Sequence, residues 1–154
     1  MRLEKFLEKY GTNTTSIFDL NNIKKDLGLS DLSIIMSDEL RAFKEPLSKS
    51  KSNSGSMKSY IMNYKTTKER GSHWVLVVLG TRDSRLYKIY FDSYGIVPPD
   101  NVFKYLDNNF IYNTMQVQPE STSMCGQLCL YVYYKLMKGY RFEDIVLEMY
   151  EVLH

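Results

Sequence analysis

The segment Leu128–Met137 constrains the fold more than any other part of the chain, because it is apolar on almost every side of a helix. A helix of this kind is buried all round, so other elements must cover it. Gly139 predicts its end, and an amphipathic helix follows over Phe142–Leu153. With 154 residues, the chain is predicted to form a single domain, residues 1–154, whose core needs no disulfide bonds.

A second apolar run, Val75–Leu79, predicts a central strand that is buried on both faces. Turn residues at 80–85 separate it from a returning strand over Leu86–Phe91. Residue spacing and caps predict five shorter elements: helices at 2–10, 16–27 and 102–109, and strands at 32–36 and 115–118. This order predicts an α+β fold, in which a central mixed or antiparallel sheet packs on the buried helix.

Positive charge is concentrated in one part of the chain, although the net charge is only +2. Residues 41–70 carry eight Lys and Arg against two Glu, which leaves +6. Within this stretch, the Ser- and Lys-rich residues 48–59 are predicted to form a mobile loop. Two interpretations of the basic stretch stay open: a solvated loop, or a patch that binds nucleic acid or an acidic partner.

Cysteine usage and hydropathy indicate the compartment of the protein. Two cysteines four residues apart cannot build a disulfide framework, so a reducing compartment is expected. No stretch approaches the roughly 18 apolar residues of a membrane span, and the charged N-terminus is unlike a secretory signal. We therefore expect a soluble intracellular monomer without a membrane partner, and packaging in a particle is compatible with this composition.

Three side chains have the chemistry of a thiol hydrolase. Cys125 would begin the buried helix, where unpaired backbone amides favour a thiolate. If 74–79 and 86–91 form a symmetric hairpin, paired residue numbers sum to 165, and His73 then lies opposite Asp92. The carboxylate would accept from one ring nitrogen and stabilise the imidazolium. A slip of one residue would move one of these groups to the other face.

Attack on a carbonyl also needs hydrogen-bond donors for the developing oxyanion. The backbone amide of Cys125 is one candidate, and the side-chain amide of Gln118 is the other. Gly126 would let backbone or substrate approach the thiol. Each residue alone has a simpler explanation: a small core residue for Cys125, a turn former for Asp92 and a surface polar group for Gln118. Their combination with an imidazole favours catalysis.

The remaining candidates are assigned other roles. Cys129 lies one helical turn after Cys125 and is predicted to belong to the core. No metal site is predicted, because no second ligand pair with zinc spacing accompanies these cysteines. His154 is the last residue and is expected to fray, which leaves His73 as the imidazole base. Trp74 is expected to shield that imidazole from water, with a substrate groove as the alternative. The chemistry requires no cofactor.

These motifs resemble those of the adenovirus-type cysteine endopeptidases (the adenain family) and, more distantly, those of the SUMO-deconjugating cysteine proteases. The shared order is His73-Trp74, then Asp92 after a strand, then Gln118 seven residues before Cys125-Gly126. The seven-residue interval, and the Cys-Gly-x-x-Cys that Cys129 completes, are similar to the adenovirus type. An Asp where the adenovirus enzymes usually carry Glu is similar to the deconjugating branch.

The resemblance covers residues 71–139 and implies a role for each residue. It implies that His73 is the base, Asp92 its orienting partner, Cys125 the nucleophile and Gln118 the oxyanion donor. It also implies cleavage of capsid or core precursors of a virus or mobile element, with glycine or another small residue before the scissile bond. Such an enzyme would act in the nucleus or cytoplasm of a host, or inside a virion.

Other consequences of the resemblance are less direct. No cysteine here matches the one that tethers an activating peptide in adenovirus enzymes, whereas stimulation by DNA through residues 41–70 stays a hypothesis. Two alternative functions also stay open. One is the removal of a ubiquitin- or SUMO-like modifier from lysine by the same chemistry. The other is a non-enzymatic assembly or nucleic-acid-binding protein on a protease-like scaffold, which the basic stretch favours.

Overall fold

The computed structural model describes residues 1–41, 57–65 and 73–154. Helices and strands follow one another in the described part of the chain, with a short 3-10 turn (Ser37–Glu39) after the first strand. In chain order they are α1 (Leu3–Tyr10), α2 (Ile17–Asp26), β1 (Leu32–Met36), β2 (Ser59–Asn63), β3 (Trp74–Arg82), β4 (Arg85–Phe91), α3 (Asp100–Tyr105), β5 (Ile111–Tyr112), α4 (Cys125–Met137) and α5 (Phe142–Leu153).

The strands form one mixed sheet in the order β1-β2-β3-β4-β5. The outer pairs, β1 with β2 and β4 with β5, are parallel, and the inner pairs are antiparallel. Helix α4 packs on β3, and α1, α2 and α5 cover its other sides. The predicted α+β fold, with a central mixed sheet on a buried helix, is therefore confirmed.

Strand β3 contributes side chains to both faces of the sheet. Leu76 and Val78 belong to the core around α4, whereas Val75, Val77 and Leu79 pack with α3 on the opposite face. All five are buried. Because successive side chains of a strand alternate between faces, a strand covered on both sides must be apolar throughout. The continuous run in the sequence has this cause.

The β3–β4 hairpin has a different register from the predicted one. Leu76 pairs with Phe91, so paired residue numbers sum to 167 instead of 165. The strands extend further than expected, and only Asp83 and Ser84 connect them, with φ angles of 52° and 65°. Two consecutive left-handed residues are the pattern of a type I′ hairpin turn. Because the shift is by two residues, every side chain keeps its predicted face.

The predicted strand at Met115–Gln118 is wrong. The backbone amides of Val117 and Gln118 both donate to the carbonyl of Ser93, at 2.9 Å each, which leaves no strand ladder. The short strand of this region, β5, lies slightly earlier, at Ile111–Tyr112. It pairs in parallel with β4 and forms one edge of the sheet.

Two further predictions differ from the structure in their bounds. The helix expected at 102–109 is α3, which ends at Tyr105, and Asp107 and Asn108 adopt left-handed backbone conformations. Residues 48–56 of the predicted loop lie outside the described residues. Ser59, the last residue of the predicted loop 48–59, begins β2, a strand that the Ser-rich composition did not indicate.

Helix α2 begins at Ile17 because Ser16 caps it. The Ser16 hydroxyl accepts from the backbone amide of Asp19, and the Asp19 carboxylate accepts from the amide of Ser16. This reciprocal arrangement satisfies two backbone donors that the helix cannot pair itself. In the described part of the chain, no helix has the length and apolar character that crossing a bilayer requires.

Candidate active site

A cleft of about 670 Å³ lies where the start of α4 meets the start of β3 and the start of α2. Three of the four predicted site residues, His73, Gln118 and Cys125, line this cleft. The rest of its wall comes from Thr14, Thr15, Ser16, Ile17, Met36, Glu39, Asn63, Trp74, Tyr94, Thr122 and Ser123. The fourth predicted residue, Asp92, is fully buried behind the imidazole.

The imidazole and the carboxylate are in direct contact. Nε2 of His73 lies 2.8 Å from Oδ1 of Asp92. Asp92 directly follows β4 and begins a turn, which the amide of Gly95 closes by donating to the Asp92 carbonyl at 2.8 Å. Tyr94 lies in this turn and stacks on the imidazole, with the ring centroids 5.0 Å apart. The contact between His73 and Asp92 is therefore present, although the two residues are not an opposed pair of the ladder.

Cys125 is the first residue of α4 and lies close to the imidazole. The backbone amide of Trp74 donates to its Sγ over 3.5 Å. Because Nε2 of His73 is occupied by Asp92, Nδ1 is the nitrogen left to exchange a proton with this sulfur. The position at the helix start places Sγ among backbone amides that have no partner within the helix.

The pKa of His73 is raised to about 9. Burial on its own would lower this pKa, because it disfavours the charged ring. Hydrogen bonds and charge attraction from Asp92 and Cys125 act in the opposite direction and outweigh the burial. The imidazole is thus held as an imidazolium at neutral pH, beside the sulfur of Cys125.

Cys129 is fully buried and belongs to the core, as predicted. Its Sγ donates to the backbone carbonyl of Trp74 over 3.5 Å, and burial raises the pKa of its thiol well above the usual value. The two cysteines therefore bind the backbone amide and the backbone carbonyl of the same residue, Trp74, at the start of β3. The indole of Trp74 donates to the carbonyl of Thr15 over 3.2 Å, and its ring also lines the cleft.

The side-chain amide of Gln118 is buried and held by three hydrogen bonds. Its Oε1 accepts from the hydroxyl of Ser93 at 2.6 Å. Its Nε2 donates to the carbonyl of Thr122 at 2.9 Å and to the hydroxyl of Tyr94 at 3.1 Å. These bonds fix which end of the amide is the donor. To serve an oxyanion, the NH2 group would exchange the longer bond, to Tyr94, for the new acceptor.

Gly126 allows α4 to approach the residues before α2. A Cβ at this position would lie 2.3 Å from Oγ1 of Thr15 and 2.8 Å from Cδ2 of Leu20. Both distances are shorter than van der Waals contact, so the side chains of Thr15 and Leu20 would have to move. The glycine therefore leaves the space in which these two side chains, of which Thr15 lines the cleft, pack against α4.

We expect Gly126→Ala to lower the free energy of unfolding by about 1–3 kcal/mol, because it overpacks this contact. Displacement of the cleft wall should also lower activity. Urea unfolding measures the first effect. The double variant with Thr15→Ala removes the Oγ1 that the new methyl group would meet and should recover part of the loss, in a double-mutant cycle. A single variant as stable as the parent protein would contradict this account.

Two residues that the sequence did not indicate hold Asp92 in place. Asn113 binds its backbone on both sides: Nδ2 donates to the Asp92 carbonyl at 2.6 Å, and Oδ1 accepts from the Asp92 amide at 3.1 Å. Tyr64 donates its hydroxyl to Oδ2 of the carboxylate at 2.6 Å. These residues follow β5 and β2, so only the strand order brings them to Asp92, and no motif spacing could have revealed them.

The prediction for the last residue, His154, can be compared with the structure, whereas the basic stretch 41–70 lies mostly outside the described residues. His154 was expected to fray, and this is wrong: its ring stacks on Tyr150 and its Nε2 lies 3.1 Å from the carbonyl of Val117. Of the eight basic residues of 41–70, only Arg41, Lys58 and Lys65 belong to the described residues. Within 1–41, 57–65 and 73–154, no group of three His, Cys, Asp or Glu side chains is arranged to hold a metal ion.

The fold is similar to that of solved structures of the ASFV pS273R protease. A crystal structure of its selenomethionine form matches with a TM-score of 0.61 and 13% identity, over 92% of this chain and 67% of that one. A second crystal structure matches with a TM-score of 0.61 and 14% identity, over 92% and 66%. This chain thus spans about two thirds of the length of the protease it matches. At this identity, the likeness shows a shared fold.

No protein-family model matches the sequence. No curated protein matches it either. The similarity to the protease is therefore carried by the arrangement of helices and strands, and the assignment of activity depends on the side chains of the cleft.

Proposed function

We propose that the protein is a cysteine protease with Cys125 as nucleophile. The observation that carries the proposal is the position of His73, whose Nε2 lies 2.8 Å from Asp92 Oδ1 and whose ring also interacts with the side chain of Cys125. A buried acid, an imidazole and a thiol at a helix start, all at one cleft, are what thiol hydrolysis needs. The fold shared with the ASFV pS273R protease supports the same activity.

The catalytic cycle follows from these positions. The thiolate of Cys125 attacks the carbonyl carbon of the scissile bond and forms a carbon–sulfur bond. His73 transfers its proton to the leaving amine as the carbon–nitrogen bond breaks, which leaves a thioester. The neutral imidazole then takes a proton from water, and the resulting hydroxide attacks the thioester and releases the acid and the thiolate. Asp92 stabilises the imidazolium in both halves of the cycle.

Each tetrahedral intermediate carries a negative oxygen that needs donors. We assign the backbone amide of Cys125 and the NH2 group of Gln118 to this role. The amide orientation favours it, since the hydroxyl of Ser93 binds Oε1 and thereby directs Nε2 to the side of Tyr94 and Thr122. Tyr94 and Thr122 both line the cleft.

The proposed substrates are capsid or core precursors of a virus or mobile element. The motif resemblance to adenain supports this substrate class, together with glycine or another small residue before the cut. The enzyme would act as an intracellular monomer, in a host nucleus or cytoplasm or inside a virion. Its chemistry needs no cofactor, and stimulation by DNA would act through the basic residues 41–70.

Proteolysis of candidate precursors tests this proposal. The purified protein would be incubated with such precursors, with and without DNA, and the new termini would be mapped by mass spectrometry. New termini that follow glycine or another small residue, and that depend on Cys125, are expected. Faster cleavage with DNA would support the role of 41–70. Intact precursors under all conditions would contradict the substrate assignment.

A deconjugating protease is the second candidate, because Asp92 matches the acid of that branch of the resemblance. A ubiquitin-like protein that carries a C-terminal vinyl sulfone distinguishes the two, since it would label Cys125 only if the cleft accepts a modifier. A non-enzymatic scaffold would show neither labelling nor cleavage.

The pH dependence of catalysis should have an alkaline limb near pH 9. The reaction needs the imidazolium, and the pKa of His73 is raised to about 9, so kcat/KM should fall as the pH rises through this value. The same ion pair stabilises the fold fully below the usual histidine pKa and less as the pH passes the raised one. Rates between pH 6.5 and 10.5 check this. A limb at the usual pKa of histidine, near 6.5, would contradict the proposed ion pair.

A further inference from the structure

A hydroxyl group binds the carboxylate oxygen of the proposed catalytic acid that the imidazole does not contact. The hydroxyl of Tyr64 donates to Oδ2 of Asp92 at 2.6 Å and lies 3.2 Å from the hydroxyl of Tyr90. Tyr64 has one hydroxyl proton, which is committed to the carboxylate. In the Tyr64–Tyr90 contact, Tyr90 is therefore the donor and the Tyr64 oxygen the acceptor. Hydrogen bonds connected in this way strengthen the bond that Tyr64 donates to Asp92.

The two carboxylate oxygens of Asp92 have separate sets of donors. Oδ1 accepts from Nε2 of His73 and from the backbone amide of Tyr94, at 2.8 and 2.9 Å. Oδ2 accepts from Tyr64. The carboxylate is fully buried, and a buried charge without hydrogen bonds is costly, so each oxygen is held where its donors are. Loss of the Oδ2 donor would leave rotation of the carboxylate as the way to satisfy that oxygen.

We propose that Tyr64 is a positioning residue whose hydroxyl fixes the carboxylate of Asp92 so that Oδ1 faces the imidazole. Its effect on catalysis rests on the proposed protease function, but the positioning itself can be measured without any activity. Tyr64 does not react with substrate. It acts through Asp92, and Asp92 acts through His73.

The surroundings of Tyr64 keep it a donor at every working pH. Burial and the bond to Asp92 raise the pKa of its hydroxyl well above the usual value, so it stays protonated. Its ring meets the imidazole of His73 edge-on, with centroids 5.1 Å apart, while Tyr94 stacks on the same imidazole. Asp92, Cys125 and these two tyrosines are titratable groups in contact with His73, and Glu39 lines the same cleft.

Tyr64→Phe removes the hydroxyl and keeps the ring against His73. Tyr90→Phe is the matched control, because it removes the neighbouring hydroxyl and leaves Tyr64 to donate to Asp92. The sequence has only two histidines, so NMR of a ¹⁵N-histidine-labelled sample shows two imidazoles, and His154→Gln assigns them. This experiment reports the pKa of His73 directly in each variant.

We expect the pKa of His73 to fall by about one unit in Tyr64→Phe, because a rotated carboxylate stabilises the imidazolium less. It should fall much less in Tyr90→Phe, because Tyr64 still donates to Asp92 and loses only the bond that strengthens this donor. In cleavage assays, kcat should fall on the order of tenfold in Tyr64→Phe with KM unchanged, since the hydroxyl acts on a charged group and touches no substrate. A purely structural role would lower stability without moving the pKa of His73.

An unchanged or raised pKa of His73 in folded Tyr64→Phe would overturn the proposal. A lowered pKa in a protein without protease activity would keep the positioning role and reject the proposed function, so the two failures can be told apart. If Tyr64→Phe does not fold, the parent protein provides a second test. The hydroxyl proton of Tyr64 should then be visible by NMR as a slowly exchanging signal, and rapid exchange with solvent would overturn the proposal.

Discussion

Cys125→Ala should abolish cleavage, with a loss of at least about 10⁴-fold in kcat, while the protein stays folded. The substitution removes the sulfur that forms the thioester, and nothing else in the described cleft carries a thiol. The cost in stability should be small, because a single atom is lost from a residue at the border of the core. Cleavage assays with the precursors whose cut sites have been mapped measure the loss in kcat, and circular dichroism shows whether the fold is kept.

Cys129→Ala is the matched control for this variant. It removes the same atom one helical turn away, from a fully buried side chain that contacts the same residue, Trp74. Its activity should be close to that of the parent protein, with a modest loss of stability for a small buried group. If Cys125→Ala still cleaved the precursors, or if both variants lost activity equally, the assignment of the nucleophile would be wrong.

The parts of the fold that could be predicted are those with a single physical cause. Helix α4 and the central part of β3 are apolar on almost every side because other elements cover them, and the sequence shows this directly. The register of the hairpin depends instead on where two turn residues sit. The stretch 80–85 offers several turn formers, and the choice of Asp83 and Ser84 depends on pairing along the whole of β3 and β4.

Some residues of the candidate site could likewise be predicted from the sequence, and others could not. The rarity of cysteine and histidine, two of each, made Cys125 and His73 candidates from the sequence, and both line the same cleft. Tyr64 could not be identified, because the chain has thirteen tyrosines and its role depends on the order of the strands. Gln118 was predicted as a candidate from its spacing to the cysteine. Its three hydrogen bonds were not foreseeable, since they involve Ser93, Tyr94 and Thr122 from the adjoining loops.

Asp92→Asn should lower kcat/KM by about 10³–10⁴-fold, because it removes the charge that holds His73 as an imidazolium. Oδ1 has two donors, from His73 and Tyr94, so the asparagine oxygen should occupy that position and its NH2 group should face Tyr64. The shape of the site is then kept while the charge is lost. With the carboxylate gone, burial opposes the charged ring and only Cys125 still favours it, so the pKa of His73 should fall.

Reaction with iodoacetamide at about pH 6 separates this electrostatic effect from damage to the fold. An ordinary thiol with a pKa near 8.5 is almost inert at this pH, so rapid alkylation of Cys125 in the parent protein would report the ion pair with His73. Asp92→Asn should slow this alkylation, because a neutral imidazole no longer stabilises the thiolate. Asp83→Asn removes the same charge at the exposed hairpin turn and should leave the rate unchanged. Equal rates in all three proteins would mean that the carboxylate of Asp92 does not control the charge of the imidazole, and the thiol would then lack the activation that the proposed cycle requires.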